Sequence, residues 1–226
     1  MTEKKRLFKL PVLEDFHDYS KIFYLVIFIV YSAVIIAELV LIQPPIPVET
    51  TITTLILAVL IILFRKLLAN DVRVFGNYRK RYIPFILVGA ALTIVLSGVG
   101  DTISANIGAG LLPNQQANAE MAASYPVLAF FQMAICAPVI EELIFRRAIK
   151  VIAPNRLVYY IASVLLFGFF HIIWGFTFPA SFLLMFGSAG AALALAYIYD
   201  RSNNIWCSIL AHLINNVLAV IVMLSF

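Results

Sequence analysis

Long apolar runs separated by short polar connections dominate the chain. A helix needs about 20 mostly apolar residues to cross the hydrocarbon core of a membrane. Seven stretches meet this length, at about 22–42, 51–69, 82–100, 123–145, 157–174, 179–199 and 205–225. The runs are continuous rather than alternating, which is typical of membrane helices and not of β-barrel strands. The pattern therefore predicts an all-α, polytopic transmembrane helix bundle.

The number of helices depends on Pro138. This proline lies inside an apolar stretch, 123–153, that is longer than one span needs. Because proline kinks or breaks a helix, we expect a kink there, and a break would leave two helical pieces. The bundle is thus expected to have about seven or eight helices.

Composition supports the same class. Hydrophobic residues make up 63% of the chain and charged residues 12%, whereas soluble domains are about half apolar and a quarter charged. The mean hydropathy of +0.98 excludes a soluble domain, and 18 Phe with 10 Tyr exclude a disordered chain. We expect a cytoplasmic segment at 1–21, without a cleavable signal peptide, and a single membrane domain at 22–226.

Basic residues indicate the orientation of the bundle. All 16 Lys and Arg lie in 4–21, 65–81, 146–156 or at Arg201. Three connections carry none: 43–50, 101–122 and 174–180. The acids of these connections are Glu49, Asp101 and Glu120. Seven spans with a cytoplasmic N-terminus place every Lys and Arg on the cytoplasmic side of the membrane. We therefore attribute the net charge of +4 to membrane topology rather than to nucleic-acid binding.

Two further expectations follow from the connections. The longest of them, 101–122, contains Gly, Asn and Gln and is expected to be an exposed loop. The compact chain with short loops favours a multi-pass protein of a bacterial cell membrane.

Few ionisable residues lie within the spans, and each is a functional candidate because burial in lipid is costly. Glu38 is a single acid near the outer end of the first span, and we expect it to reach the interface. Cys136 and Cys207 lie in apolar runs without metal-ligand spacing and are expected to be small buried residues. The remaining polar residues form three clusters.

The first cluster is Glu141-Glu142-Leu-Ile-Phe-Arg146, directly after Pro138. Glu142 and Arg146 are four residues apart and can pair on one helix face. Glu141 points about 100° away and stays available for acid–base chemistry. The alternative is a structural Glu–Arg bridge, with Arg146 and Arg147 marking the cytoplasmic side.

The second and third clusters each place two side chains one helical turn apart. Phe167 and His171 share one face, and His212 and Asn216 share another. A histidine and an amide one turn apart could hold an oxyanion or a water. The alternatives are a hydrogen-bonded core histidine and polar contacts between helices, for which Asn215 is a further candidate.

In this order, the three clusters resemble the CAAX protease and bacteriocin-processing family, also called the Abi or type II CAAX prenyl endopeptidase family. Its pattern is Glu-Glu-x-x-x-Arg, Phe-x-x-x-His and His-x-x-x-Asn. The chain matches this pattern without departure over about 141–216, within a motif-bearing core at about 123–225.

The resemblance implies a glutamate-dependent intramembrane endopeptidase with about eight helices and no cofactor. Glu141 and His171 would activate a water molecule. His212 and Asn216 would stabilise the oxyanion that forms when the water attacks a peptide bond.

Three more residues would support this site. Glu142 and Arg146 would hold it in place, and Phe167 would pack beside the histidine and line the substrate pocket. The family name suggests prenylated C-terminal peptides as substrates. A bacterial member would rather cleave a leader peptide, a secreted pro-peptide or a membrane-protein tail. The sequence does not indicate an oligomeric state.

Three other interpretations stay open. The glutamate and the two histidines could bind zinc, although no His-Glu-x-x-His motif is present. The chain could be a non-catalytic membrane protein that gives bacteriocin immunity or scaffolds a membrane sensor. A transporter is disfavoured because no pair of interrupted helices occurs in matching halves.

Overall fold

The structure, a computed structural model, describes residues 18–42, 44–106, 113–173 and 180–225. These ranges contain seven helices and no strand. The helices are α1 (Lys21–Ile36), α2 (Ile46–Asn106), α3 (Pro113–Ser124), α4 (Pro126–Ile152), α5 (Arg156–Ile172), α6 (Ala180–Ser202) and α7 (Ile205–Leu224). The prediction of an all-α bundle is confirmed. Most of the expected N-terminal segment 1–21 lies outside the described residues.

Four of these helices are long and apolar enough to cross a membrane, namely α2, α4, α6 and α7. Two apolar helices are shorter, α1 and α5, and α1 is prolonged by a π-helical segment, Ala37–Ile42. Length and composition therefore agree with a membrane protein. The count of seven crossings stays a prediction.

Helix α2 joins two of the predicted spans. A straight helix of 61 residues would measure about 90 Å, three times the thickness of the hydrocarbon core. The helix is broken at Tyr78, where φ is −120° and ψ is 19°. The predicted connection at 65–81 is therefore helical, apart from the break at Tyr78. We call 46–77 and 79–106 the two arms of α2.

The prediction of an exposed loop at 101–122 is wrong for its described residues. Helix α2 continues to Asn106, and α3 begins at Pro113. Proline is favoured at the first position of a helix, and the Ala, Gln and Glu residues that follow are good helix formers. Met121 and Ala122 are buried against a cluster that includes Val220 of α7. Apolar contacts thus hold α3 on the bundle.

Helix α6 occupies the centre, since it packs on α2, α5 and α7. Its backbone closely approaches the second arm of α2, where small residues face each other. A Cβ atom at Gly100 would overlap the carbonyl group of Phe186, and one at Gly190 would overlap the carbonyl oxygen of Leu96. The Ser104 hydroxyl donates to the Leu183 carbonyl at 2.8 Å. Glycine is therefore required where these two helices touch.

The start of α7 is attached to the first arm of α2. The Asp71 carboxylate accepts from the Ile205 N–H at 2.8 Å, and its carbonyl accepts from the Asn204 amide at 2.8 Å. The Trp206 indole N–H donates to the Leu68 carbonyl at 3.0 Å. These bonds fix the beginning of the helix that carries the third motif.

Arg147 has a structural role that the sequence did not indicate. Its side chain is 3% exposed rather than free at the cytoplasmic side. It donates to the hydroxyl groups of Tyr24 at 2.9 Å and Tyr199 at 3.4 Å, and it pairs with Asp18 at 3.1 Å. These contacts tie the start of α1 to α4 and α6.

We predict that Gly100→Ala destabilises the bundle, because the added methyl group would meet backbone atoms of α6. Overpacking of this kind costs about 1–3 kcal/mol. Gly98→Ala is the matched control, since a Cβ at Gly98 has nothing within 4 Å. Thermal unfolding of both variants in detergent measures the difference. Equal stabilities of the two variants would contradict the close approach of α2 and α6.

Candidate active site

The first motif lies on α4, which contains two π-helical segments, and its residues Glu142 to Arg146 belong to the second of them. The two segments are Phe130–Cys136 and Glu142–Ala148, and Glu141 ends the short α-helical piece between them. The helix therefore continues through Pro138 and does not break into two pieces. Single π turns inside α-helices are frequent at functional sites, because they change the direction of the side chains.

Pro138 accounts for the first π segment and for a free carbonyl group. The Ala137 N–H donates to the carbonyl of Gln132, five residues back. In the same register the Met133 carbonyl would need the N–H of Pro138, which proline lacks. The Met133 carbonyl instead accepts from the Asn216 amide of α7 at 2.8 Å. The Met133 carbonyl, which has no backbone donor within α4 in this register, thus holds Asn216, a predicted site residue.

Glu142 links α4 to α7. It pairs with Arg146 at 3.4 Å, as the spacing predicts, and accepts from Nδ1 of His212 at 3.0 Å. Glu142 and Arg146 are both 0% exposed. A buried carboxylate needs partners of this kind to stay ionised. Glu142 therefore serves as an internal counter-charge and orients His212.

Glu141 differs from its neighbour in exposure and in its distance from His212. Its side chain is 19% exposed, and its Oε2 atom has no hydrogen-bond partner among the described residues. Nε2 of His212 lies 3.8 Å from this oxygen, beyond hydrogen-bond distance. The predicted separation of the two carboxylates, one paired and one available, is present in the structure.

The Phe167 ring lies between a cation and two histidines. The Arg146 guanidinium carbon is 4.6 Å from the ring centroid, and the His171 and His212 rings are 4.2 Å and 6.1 Å from it. Nδ1 of His171 contacts the Phe167 carbonyl at 2.7 Å. A carbonyl only accepts hydrogen bonds, so Nδ1 carries the proton and Nε2 is the basic nitrogen of the neutral ring.

The two asparagines of α7 act together. The Asn215 amide donates to Oδ1 of Asn216 at 3.1 Å, and Asn216 donates one N–H to Met133. An amide nitrogen has two N–H groups, so a second donor of Asn216 is not used by these bonds. Asn215, which the sequence indicated as a packing residue, thus orients Asn216.

Five of the predicted site residues line one cavity of about 740 Å³, namely Glu141, Phe167, His171, His212 and Asn216. Glu142 and Arg146 lie directly behind the wall. The structure therefore brings all seven predicted residues into one site built from α4, α5 and α7.

Glu38 is the clearest residue that the sequence misplaced. It was expected to reach the interface, but it is 4% exposed and lines the same cavity. Its Oε1 atom is buried without a hydrogen-bond partner among the described residues. The π-helical segment that follows α1 turns this side chain inward. Its burial depends on packing between helices, which apolar periodicity does not encode.

The metal alternative requires several ligand side chains to converge on one point. No three His, Cys, Asp or Glu side chains in this part of the chain are placed to hold one ion. A zinc site needs at least three such ligands around one point.

We predict that Glu142→Gln strongly destabilises the protein, because Arg146 would lose its buried counter-charge. Breaking a buried ion pair costs about 3–5 kcal/mol. Glu141→Gln is the matched control on the adjacent residue and should change stability little. Thermal unfolding of the purified variants measures both effects. Similar losses at the two positions would contradict the separate environments of the carboxylates.

Comparison with known proteins agrees with the motifs in this part of the chain. No curated protein and no solved structure matches the chain significantly. A family model described as Type II CAAX prenyl endopeptidase Rce1-like matches residues 123–218. This range contains all seven predicted site residues. Over residues 123–218 the chain is therefore similar to the Rce1-like type II CAAX prenyl endopeptidases, a family of proteases.

Proposed function

We propose that the protein is a glutamate-dependent intramembrane endopeptidase that hydrolyses a peptide bond of a membrane-associated substrate. One observation carries the proposal. The Glu141 carboxylate lines a cavity, has a buried oxygen without a hydrogen-bond partner among the described residues, and shares that cavity with two histidines. A general base has to be available in this way, whereas a structural carboxylate is paired.

Glu141 and His171 would activate the attacking water. Glu141 accepts a proton from the water, whose oxygen forms the new bond to the carbonyl carbon. The basic Nε2 of His171 faces the same cavity and holds the water in line by accepting its other hydrogen. The proton on Glu141 then passes to the amine that leaves when the peptide C–N bond breaks.

His212 and Asn216 would stabilise the negative oxygen of the tetrahedral intermediate. Glu142 holds His212 from behind by accepting from Nδ1, so Nε2 of His212 would donate to the oxyanion as the protonated imidazolium, and Asn216 is held by the Met133 carbonyl. Donors that are fixed before the reaction need no reorganisation when charge develops. The two side chains belong to successive turns of α7, so they present donors to one point.

We also propose that the reaction needs no metal ion, since the described residues offer no cluster of three ligands. Hydrolysis that persists in a strong chelator would support this mechanism. Loss of activity that zinc restores would show that the glutamate and histidines hold a metal.

The substrate is proposed to be a peptide at the membrane, either prenylated or a leader peptide or membrane-protein tail. The lipid bilayer is the second partner, because apolar side chains cover the outside of the helices. A non-catalytic role in immunity or sensing would not require a carboxylate at Glu141. The following experiment therefore distinguishes a protease from a non-catalytic protein.

We predict that Glu141→Gln and His171→Ala each lower kcat by about 10²–10⁴-fold, the usual contribution of a general base and its partner. The control is Asp200→Asn, which removes a carboxylate that pairs with Arg156 at the end of α6. Mass spectrometry of membrane peptides from cells with the wild-type or variant protein identifies the cleaved substrate. Unchanged peptides and phenotype in a Glu141→Gln strain that still inserts the protein would support a non-catalytic role.

We further propose a bacterial cell membrane with a cytoplasmic N-terminus. Cysteines that replace Asn77, at the end of the first arm of α2, and Ala119 of α3 are expected to lie on opposite sides of the membrane. The native Cys136 and Cys207 are 1% and 0% exposed and should not react. In intact cells, a membrane-impermeant maleimide should label the Ala119→Cys variant, and the Asn77→Cys variant only after permeabilisation. The reverse pattern would invert the orientation.

A further inference from the structure

A second group of acidic residues lines the cavity beyond the active site. Four carboxylates besides Glu141 belong to its wall, whereas no Lys or Arg of the described chain does. With Gln132 they form what we call the acidic chamber, consisting of Glu38, Glu49, Asp101, Glu120 and Gln132. They come from the end of α1, both ends of α2, from α3 and from α4. This is the end of the bundle without basic connections.

Two buried acceptors in this chamber lack a donor. Oε1 of Glu38 and Oε1 of Gln132 are both buried, and neither has a hydrogen-bond partner within the described residues. Glu38 as a whole is 4% exposed. A buried polar atom without a partner is costly, so these two atoms indicate where a ligand group belongs.

The missing group has to be a hydrogen-bond donor, and the carboxylates of the chamber favour a donor with positive charge. The Gln132 amide already donates to Glu49 at 3.0 Å, so its oxygen remains as an acceptor next to a carboxylate. Guanidinium and ammonium groups carry several N–H donors and no acceptor. A guanidinium also binds carboxylates with a fixed fork of donors. An arginine or lysine side chain therefore complements the chamber.

A bound metal ion is a poorer match. The chamber holds several carboxylates, yet within the described ranges no three of them converge on one point. Acceptors that are spread over a wall fit the splayed N–H groups of a side chain better than a single small ion.

We propose that the acidic chamber binds a basic side chain of the substrate peptide and so selects where the peptide is cut. This inference rests on the proposed protease function. Gln132 and Glu141 are nine residues apart on α4, which is about 13 Å of helix. An extended peptide spans about 3.3 Å per residue. The basic residue should thus lie about four positions from the scissile bond.

The test measures binding separately from cleavage. The full-length Glu141→Gln protein in detergent is titrated into fluorescein-labelled, otherwise apolar ten-residue peptides. Each peptide has one arginine, four positions before or after the central bond, and its control has the neutral isostere citrulline instead. We expect at least one arginine peptide to bind about tenfold more tightly than its control, the size of one well-placed charge interaction.

Variants of the chamber then locate the effect. Adding Glu38→Gln and Glu49→Gln should reduce the arginine preference to less than about twofold, while Asp200→Asn keeps it. If the double substitution prevents folding, Glu49→Gln alone must lower the preference. Equal binding of arginine and citrulline peptides, or a preference that survives these changes, overturns the inference. Failure of the wild type to cleave any bound peptide would overturn the protease function instead.

Discussion

The Glu142 carboxylate contacts Arg146 on its own helix and His212 on α7, and all three groups are removed from water. A charge in such a place persists only with partners, and removing one partner leaves another charge buried alone. Arg146 in turn lies over the Phe167 ring of α5. One set of contacts thereby joins α4, α5 and α7. Glu141, the adjacent residue, lies 3.8 Å from His212 and belongs to the wall of the cavity.

The backbone of α4 contributes through a defect in its hydrogen bonding. In lipid, every N–H and C=O group has to be satisfied within the protein. Pro138 removes one donor, the helix widens into a π segment, and the Met133 carbonyl turns to the Asn216 amide. A proline that would weaken an isolated helix therefore positions a donor of the proposed oxyanion site.

Charge is divided between the two ends of the bundle. Basic residues gather at one end, where positive-inside topology predicts the cytoplasm. At the other end, acids that are far apart in sequence meet in the acidic chamber. The carboxylates of the chamber would attract a peptide with a basic side chain before it reaches Glu141. The uneven distribution of charge would then both orient the protein in the membrane and attract the substrate peptide.

The sequence by itself determined the contacts that lie within one helix, because helical spacing fixes which side chains are neighbours. The pair Glu142–Arg146 and the contact between Phe167 and His171 follow from this spacing, as does the all-α class. It left α3 undetermined, since the Ala and Gln residues of this connection favour a helix whereas its Pro, Gly and Asn residues suit a loop. Only the tertiary structure decided which atom of His212 meets Glu142 and that Glu38 turns inward. Such contacts depend on how helices pack against one another, and no periodicity along the chain records that.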